Sequence, residues 1–329
     1  MLRILHGTHF DFIRYWRIAA SVTAVFIAVG IASFVLTGSV RYSIEFTGGT
    51  LMQLEFDEAP SVADLRSTLA GAGVDGAEIQ TFGSSREFTV RARESEQVAE
   101  QAASGAESVS RRIEQALQAR YGADAVTVVR TEAVGPRVGD ELRRNAIIAV
   151  ILSFGVTLAY LAFRFEWRFG VAAVLATAHD LVATLAFVKL MDIEVSLTVV
   201  AGLLTVIGYS LNDTIIIFDR VRENLHKKRK ESLYDTVNRS INETVPRAVM
   251  THGTTLAATV ALLVFAGPVI RPFAWVMTFG IFTGTFSSIY VAGPLLLWIE
   301  RKWPRQVGDT KGIVSASAAR SEARRQRPA

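Results

Sequence analysis

Six apolar runs, each long enough to cross a lipid bilayer as a helix, constrain the fold of this chain more than any other feature. A bilayer core about 30 Å thick needs roughly 20 predominantly apolar residues in a helix. Hydrophobic residues make up 50% of the 329 residues and are gathered into these runs. We therefore expect an α-helical polytopic membrane protein with six transmembrane helices, at 18–36, 146–163, 170–188, 195–218, 248–266 and 273–299.

The first run is interpreted as an uncleaved anchor. It is longer than the apolar region of a signal peptide, and no small-residue cleavage site follows it before Arg41.

Lysine and arginine in the short flanking segments predict the orientation of the six runs. The basic flanks on one side are 1–17, 164–168, the loop 219–247 and the tail 301–329. The opposite short loops carry only Lys189 and Arg271. Both termini are therefore predicted to be cytoplasmic. The tail has no apolar period, which predicts disorder.

The polar stretch 37–144 is predicted to lie outside the cytoplasm as one small α+β domain with its connector. Its pattern predicts strands at 42–56, 77–82, 87–93 and 125–132 and helices at 61–72 and 95–121. Ser61 and Asp64 have the spacing of a helix-capping pair. The order β-α-β-β-α-β is that of a ferredoxin-like split βαβ unit.

Composition narrows the function classes. The net charge of +4 and the isoelectric point near 9.5 come from basic residues beside apolar runs, which is typical of membrane topology rather than of nucleic-acid binding. The chain has no cysteine. No nucleophile–base arrangement, nucleotide loop or metal-ligand spacing is visible, so we expect no enzyme activity, no cofactor and no metal.

Asp213 is the sharpest functional candidate, because an ionisable group inside a span is expensive and is retained mainly for function. It lies roughly 10 Å inside the cytoplasmic end of the fourth run. Ser210, Asn212 and Thr214 could hydrogen-bond it in either protonation state. The alternatives are a proton-carrying carboxyl and a structural carboxylate bound by its neighbours.

Other intramembrane polar groups are supporting candidates. His179 and Asp180 lie near the middle of the third run, where a proton relay and a buried interhelical hydrogen bond are equally good interpretations. Asp180 and Asp213 supply the two carboxyls of an intramembrane aspartyl protease, but the surrounding pattern does not resemble that class. In the fifth run, His252 stands among Thr254 and Thr255 and is interpreted as a polar packing residue.

Arg247 opens the fifth run after a proline. Its position suits a positive-inside anchor, and also a counter-charge to Asp213 across the helix interface.

Glycines mark two further segments. Gly48 and Gly49 stand early in the soluble stretch and predict a bulge or a close contact with another backbone. Gly135, Pro136 and Gly139 stand in the connector 135–142 before the second run. Small residues in the fourth and sixth runs, including Gly280, Gly284, Ser287 and Ser288, allow close helix packing.

Six segments follow one another in the order of a known family: 46–50 (FTGGT), 134–142 (VGPRVGDEL), 178–180 (AHD), 208–220 (GYSLNDTIIIFDR), 238–247 (NRSINETVPR) and 251–255 (THGTT). With these segments the chain resembles, over nearly its whole length, the SecF branch of the SecD/SecF protein-export family, in the RND superfamily. His252 departs from the pattern, because the family has serine at that place in a Thr-Ser-x-Thr-Thr stretch.

The resemblance implies a subunit of the bacterial cytoplasmic membrane that pairs with SecD and docks on the SecYEG channel, with YidC and YajC as further candidate partners. It implies that a proton or sodium gradient drives late-stage export of preproteins, with Asp213 as ion carrier and Arg247 as its partner. The alternatives are an RND-type exporter subunit for small molecules or lipids, and a scaffold that transports nothing.

Overall fold

The computed structural model describes residues 8–92, 105–227 and 231–304. In these residues six helices are long and apolar enough to cross a membrane, which confirms the predicted number. In chain order they are the first to sixth spans: Ile13–Thr37, Pro136–Arg164, Trp167–Leu190, Leu197–Lys227, Leu233–Phe265 and Arg271–Lys302. The sixth span is interrupted by a π-helical turn at Ser288–Ala292.

The helices extend beyond the apolar runs because hydropathy detects only the part that lipid surrounds. The second span begins at Pro136, so most of the predicted connector is its first turns. The predicted basic loop 219–247 is also mostly helix: the fourth span continues to Lys227, and the fifth begins at Leu233. The predicted tail after residue 304 lies outside the described residues.

The third, fourth and sixth spans form the centre of the bundle. Their most apolar windows are 50%, 56% and 56% buried, against 11%, 6% and 11% for the first, second and fifth spans. Glycine permits the central contact, since a Cβ on Gly280 would lie 2.2 Å from Cγ2 of Val206. The three outer spans therefore leave wide faces for lipid or for another protein.

The soluble domain has a four-stranded antiparallel sheet in the order β2-β3-β1-β4, with β1 Gly49–Phe56, β2 Glu78–Phe82, β3 Ser84–Ala92 and β4 Val126–Val134. Two helices, Val62–Gly71 and Gly105–Tyr121, cover it. This arrangement confirms the ferredoxin-like split βαβ fold.

The domain packs as its alternating pattern requires. Met52, Leu54 and Phe56 on one face of β1 are buried with Leu65 and Leu69 of the first domain helix. Ser61 caps that helix by accepting a hydrogen bond from Asp64 N at 3.1 Å.

The predicted strand at 42–56 is too long. Ile44–Thr47 forms one helical turn, and the strand begins only at Gly49. Gly48, at φ 70°, and Gly49, at φ 121°, reverse the backbone between the two elements, in a region that favours glycine. The first part of the predicted helix 95–121 lies outside the described residues.

The two glycine segments contact each other. A Cβ on Gly48 would lie 2.8 Å from Cα of Pro136, and a Cβ on Gly139 would lie 2.9 Å from N of Gly48. Only glycine at these places lets the turn before β1 pack on the first turn of the second span.

A second junction joins the domain to the fourth span. The backbone of 41–43 pairs with Val195: Ser43 N donates to Val195 O at 2.9 Å, and Val195 N donates to Arg41 O at 2.8 Å. The Glu45 carboxylate accepts a hydrogen bond from Leu197 N, at the start of the fourth span, at 2.6 Å. We call this contact of 41–45 with 195–197 the domain clamp. Arg91 of β3 adds an ion pair with Glu194.

Candidate functional site

Polar side chains form a layer inside the bundle, where the third, fourth, fifth and sixth spans meet. Three ionisable residues at its centre are almost inaccessible: Asp180 is 1% exposed, and Asp213 and His252 are each 4% exposed. Buried ionisable groups are stable only with partners, so these contacts decide the chemistry of the layer.

Asp213 faces His252 of the fifth span. Nε2 of His252 lies 2.9 Å from Oδ2 of Asp213. This distance is that of an ion pair. The contact is not a hydrogen bond, because no acceptor among the described residues lies in the direction of the Nε2 hydrogen. Asp213 therefore has a second ionisable side chain as its neighbour inside the bundle.

The His252 ring is held from two other sides. Its Nδ1 is within hydrogen-bond distance of Oγ1 of Thr285 in the sixth span. Tyr209, one turn before Asp213, lies with its ring centroid 5.3 Å from the imidazole. The Tyr209 hydroxyl donates to Oγ1 of Thr255 at 2.9 Å. The ring is therefore fixed in position against Asp213.

Asp180 has a separate set of partners. The Ser210 and Ser287 hydroxyls both donate to its Oδ2, the latter at 2.5 Å. Nδ1 of His179 lies 2.9 Å from Oδ1. This carboxylate therefore joins the third, fourth and sixth spans, as expected for a buried interhelical hydrogen-bond centre.

Thr214 and Ser288 complete the layer. Their hydroxyls are 2.9 Å apart and join the fourth span to the sixth, at the start of the π-helical turn. Such turns are local irregularities that occur frequently at functional sites. Ser287 and Ser288 thus bind Asp180 and Thr214 in this layer. The sequence indicated only that their small size allows close helix packing.

The structure brings together only part of the predicted site. Asp213, Thr214, Ser210 and Asp180 are buried in the layer, with His179 at its edge. Thr255 accepts from Tyr209, whereas Thr254 is exposed and donates to the backbone O of Thr251 at 2.9 Å. Asn212 is exposed and points away from the layer.

Arg247 does not reach Asp213. It is exposed, and it forms no ion pair within the described part of the chain. Arg247 and His252 are five residues apart, which separates them by about 140° around the helix at 100° per residue. Only one of the two can face the fourth span, and in this structure it is His252. The interpretation of His252 as a packing residue missed this contact with the carboxyl.

Comparison with models of protein families shows the family of this chain. The model for the C-terminal part of protein export membrane proteins SecD/SecF matches residues 113–302, more than half of the chain. The chain belongs to the SecD/SecF family. The SecD/SecF GG motif matches residues 40–60, which contain the glycine turn before β1.

The relatives in this family are SecF proteins. The chain is 60% identical over 327 residues to the protein translocase subunit SecF of Gemmatimonas aurantiaca, covering 98% of each chain. It is 40% identical to the SecF subunit of Vibrio alginolyticus, over 89% of this chain and 92% of the relative. These matches confirm the resemblance to the SecF branch and favour it over an RND-type exporter.

Solved structures support the same fold. The crystal structure of SecDF from Thermus thermophilus, a translocon-associated membrane protein, aligns with a TM-score of 0.78 at 37% identity over 92% of this chain. SecDF in its super-membrane-facing form aligns with a TM-score of 0.65 at 38% identity. In both cases this chain spans 40% of the length of the SecDF chain. The chain is therefore a multi-pass membrane protein with the SecF fold.

Proposed function

We propose that this chain, as the SecF subunit of a SecD–SecF complex, uses an ion gradient to drive late-stage export of preproteins through the SecYEG channel. The observation that carries the proposal is the buried Asp213, which faces a second ionisable group, His252, inside a membrane-spanning bundle. Burying ionisable groups at this depth costs free energy, so such groups are retained mainly where they have a function.

The available energy suits a conformational switch. Moving one charge through 100 mV supplies about 2.3 kcal/mol, which changes the ratio of two conformations about 40-fold. The layer offers a bistable element, because Asp213, Thr214 and Ser210 of the fourth span contact the neighbouring spans through hydroxyl and ionic contacts that can be exchanged.

Motion of the fourth span has a direct route to the soluble domain. Asp213 lies on the span whose first residue, Leu197, is bound by Glu45 in the domain clamp. The second span offers another route through the contact of Gly48 with Pro136. Ion binding in the layer would therefore act on the domain that pulls or holds the preprotein.

An exposed polar stripe supports SecD as the partner in the membrane. Thr251 and Thr254 are exposed on the fifth span, and their hydroxyls donate to backbone oxygens of the same helix at 2.9 Å. Asn212 of the fourth span and Arg247 of the fifth are also exposed, where lipid would leave their polar groups without partners. A helix of another subunit, packed on this stripe, would solvate them. We assign that place to SecD, and there Arg247 would meet the partner rather than lipid.

In this proposal the termini are cytoplasmic and the domain faces the opposite side of the bacterial cytoplasmic membrane. The basic flanks support that orientation. SecYEG, the preprotein and the further candidates YidC and YajC would be contacted from these exposed surfaces. The subunit would act by binding ions and moving, without enzyme chemistry.

Export in membrane vesicles containing SecD tests the proposal, with Asp213→Asn compared to Asp219→Asn. Asp219 is the control because its carboxylate, 57% exposed, pairs with Arg164 at 3.0 Å outside the layer. We expect Asp213→Asn to abolish the stimulation of late export by the gradient while assembly and ATP-driven entry persist. Full stimulation in this variant would exclude Asp213 as the coupling carboxyl and support a scaffold.

A further inference from the structure

The group that faces Asp213 across the helix interface is the imidazole of His252. A hydroxyl at this place could donate one hydrogen bond but would not titrate. Imidazole takes up and releases a proton near neutral pH, and it carries a full positive charge when protonated. At 2.9 Å from Oδ2 of Asp213 and 6% exposed, the His252 side chain therefore changes the chemistry of the site.

Other charged groups near the pair are few. The fifth span, which carries His252, packs on the fourth and sixth spans. The fourth span presents Asp213 and Tyr209, while the sixth presents Thr285 and has no ionisable residue between Arg271 and Tyr290.

Asp180 of the third span makes its hydrogen bonds to His179, Ser210 and Ser287 rather than to the pair. Arg247, on the fifth span itself, faces outward. The charge of the site is therefore set mainly by Asp213 and His252.

The site offers poor coordination for sodium. A hard cation needs several oxygen ligands. The Thr214 hydroxyl is 2.9 Å from Ser288, and the Tyr209 hydroxyl is bound to Thr255. Asn212 is exposed on another face. Oδ2 of Asp213 instead lies 2.9 Å from an imidazole nitrogen, which is a poor ligand for sodium and repels it when protonated.

We propose that His252 is the specificity-determining residue of the coupling site and makes it select protons over sodium ions. Loading adds one proton to the Asp213–His252 pair and unloading returns it to water, so only O–H and N–H bonds change. This inference rests on the proposed function, because it assumes that Asp213 is the coupling carboxyl.

The test is export in vesicles containing SecD, driven either by a proton gradient in sodium-free buffer or by a sodium gradient at equal pH on both sides. His252→Ser replaces the imidazole with a small hydroxyl group, and His252→Gln keeps much of the size without a titrating group. Copurification with SecD verifies that both variants assemble.

We expect the unmodified chain to respond to the proton gradient and not to sodium. Both variants should lose proton stimulation, and the pH dependence of the stimulation should change, because neither serine nor glutamine takes up a proton at this place. His252→Ser should gain a response to sodium. Sodium stimulation of the unmodified chain, or an unchanged ion preference and pH profile in both assembled variants, would overturn the inference.

Asp213→Asn separates the two ways of failing. If this variant keeps its gradient response, the proposed function itself is wrong. If it loses the response while both His252 variants behave like the unmodified chain, Asp213 remains the coupling carboxyl and only the role of His252 is rejected.

Discussion

Replacement of Gly280 by alanine should separate the fourth and sixth spans at the centre of the bundle. The added methyl would lie 2.2 Å from Cγ2 and 2.8 Å from Cγ1 of Val206. Carbon atoms pack at about 3.5–4.0 Å, so the helices must move apart by more than about 1 Å or Val206 must leave its rotamer. Overpacking of this kind destabilises a core by about 1–3 kcal/mol.

Val206→Ala provides the complementary change. Alone it removes two buried methyl groups and leaves a cavity between the helices, which lowers the free energy of unfolding through the lost packing contacts. In the double variant the methyl at 280 occupies the space that valine vacated. We therefore expect the two effects to be non-additive, with a favourable coupling of about 1–3 kcal/mol.

The assay is unfolding of the purified chain in mixed micelles by increasing SDS, for the single and double variants. Gly155→Ala is the control, because a Cβ at Gly155 meets nothing within 4 Å. The same shift should displace Ser287 from Asp180, so the gradient response in export should fall with stability. The reasoning fails if Gly280→Ala unfolds like Gly155→Ala, or if the double variant shows the sum of the single effects.

Two further predictions concern the soluble domain. Glu194→Gln should weaken the attachment of the domain to the fourth span by about 1–2 kcal/mol, because Glu194 pairs with an Arg91 side chain that is only 13% exposed. The control is Asp192→Asn, in the exposed pair with Arg41, which should change the midpoint of SDS unfolding little. Equal effects of the two variants on this midpoint would contradict the assignment. The Tyr121 hydroxyl, which donates to Asp64 at 2.6 Å, and the charge of Arg120 hold the pKa of Asp64 below its ordinary 3.8. Asp64 therefore stabilises the fold above about pH 4, and this contribution is lost as pH falls through the lowered pKa. Tyr121→Phe should reduce the loss of thermal stability between pH 5 and 3, and an unchanged acid dependence would refute the assignment.

The sequence determined the architecture because its signals are local. A run of about 20 apolar residues has one stable structure in lipid, so the six spans could be counted without a fold. The alternating strands and the Ser61 cap predicted the ferredoxin-like domain in the same way. Asp213 was also identifiable, because an ionisable residue in such a run is unusual whatever surrounds it.

The partners of Asp213 were decided only by the tertiary structure. The rotation of the fifth span about its own axis turns His252, and not Arg247, toward Asp213. This rotation is set by packing against the neighbouring helices and cannot be read from the sequence of the fifth span alone. The clamp at Val195 and Glu45 joins segments about 150 residues apart in sequence and depends on where the first span ends and the fourth begins. The sequence thus determines which residues lie in the membrane. Which of these residues contact each other is decided by the close packing of the helices, as between Gly280 and Val206.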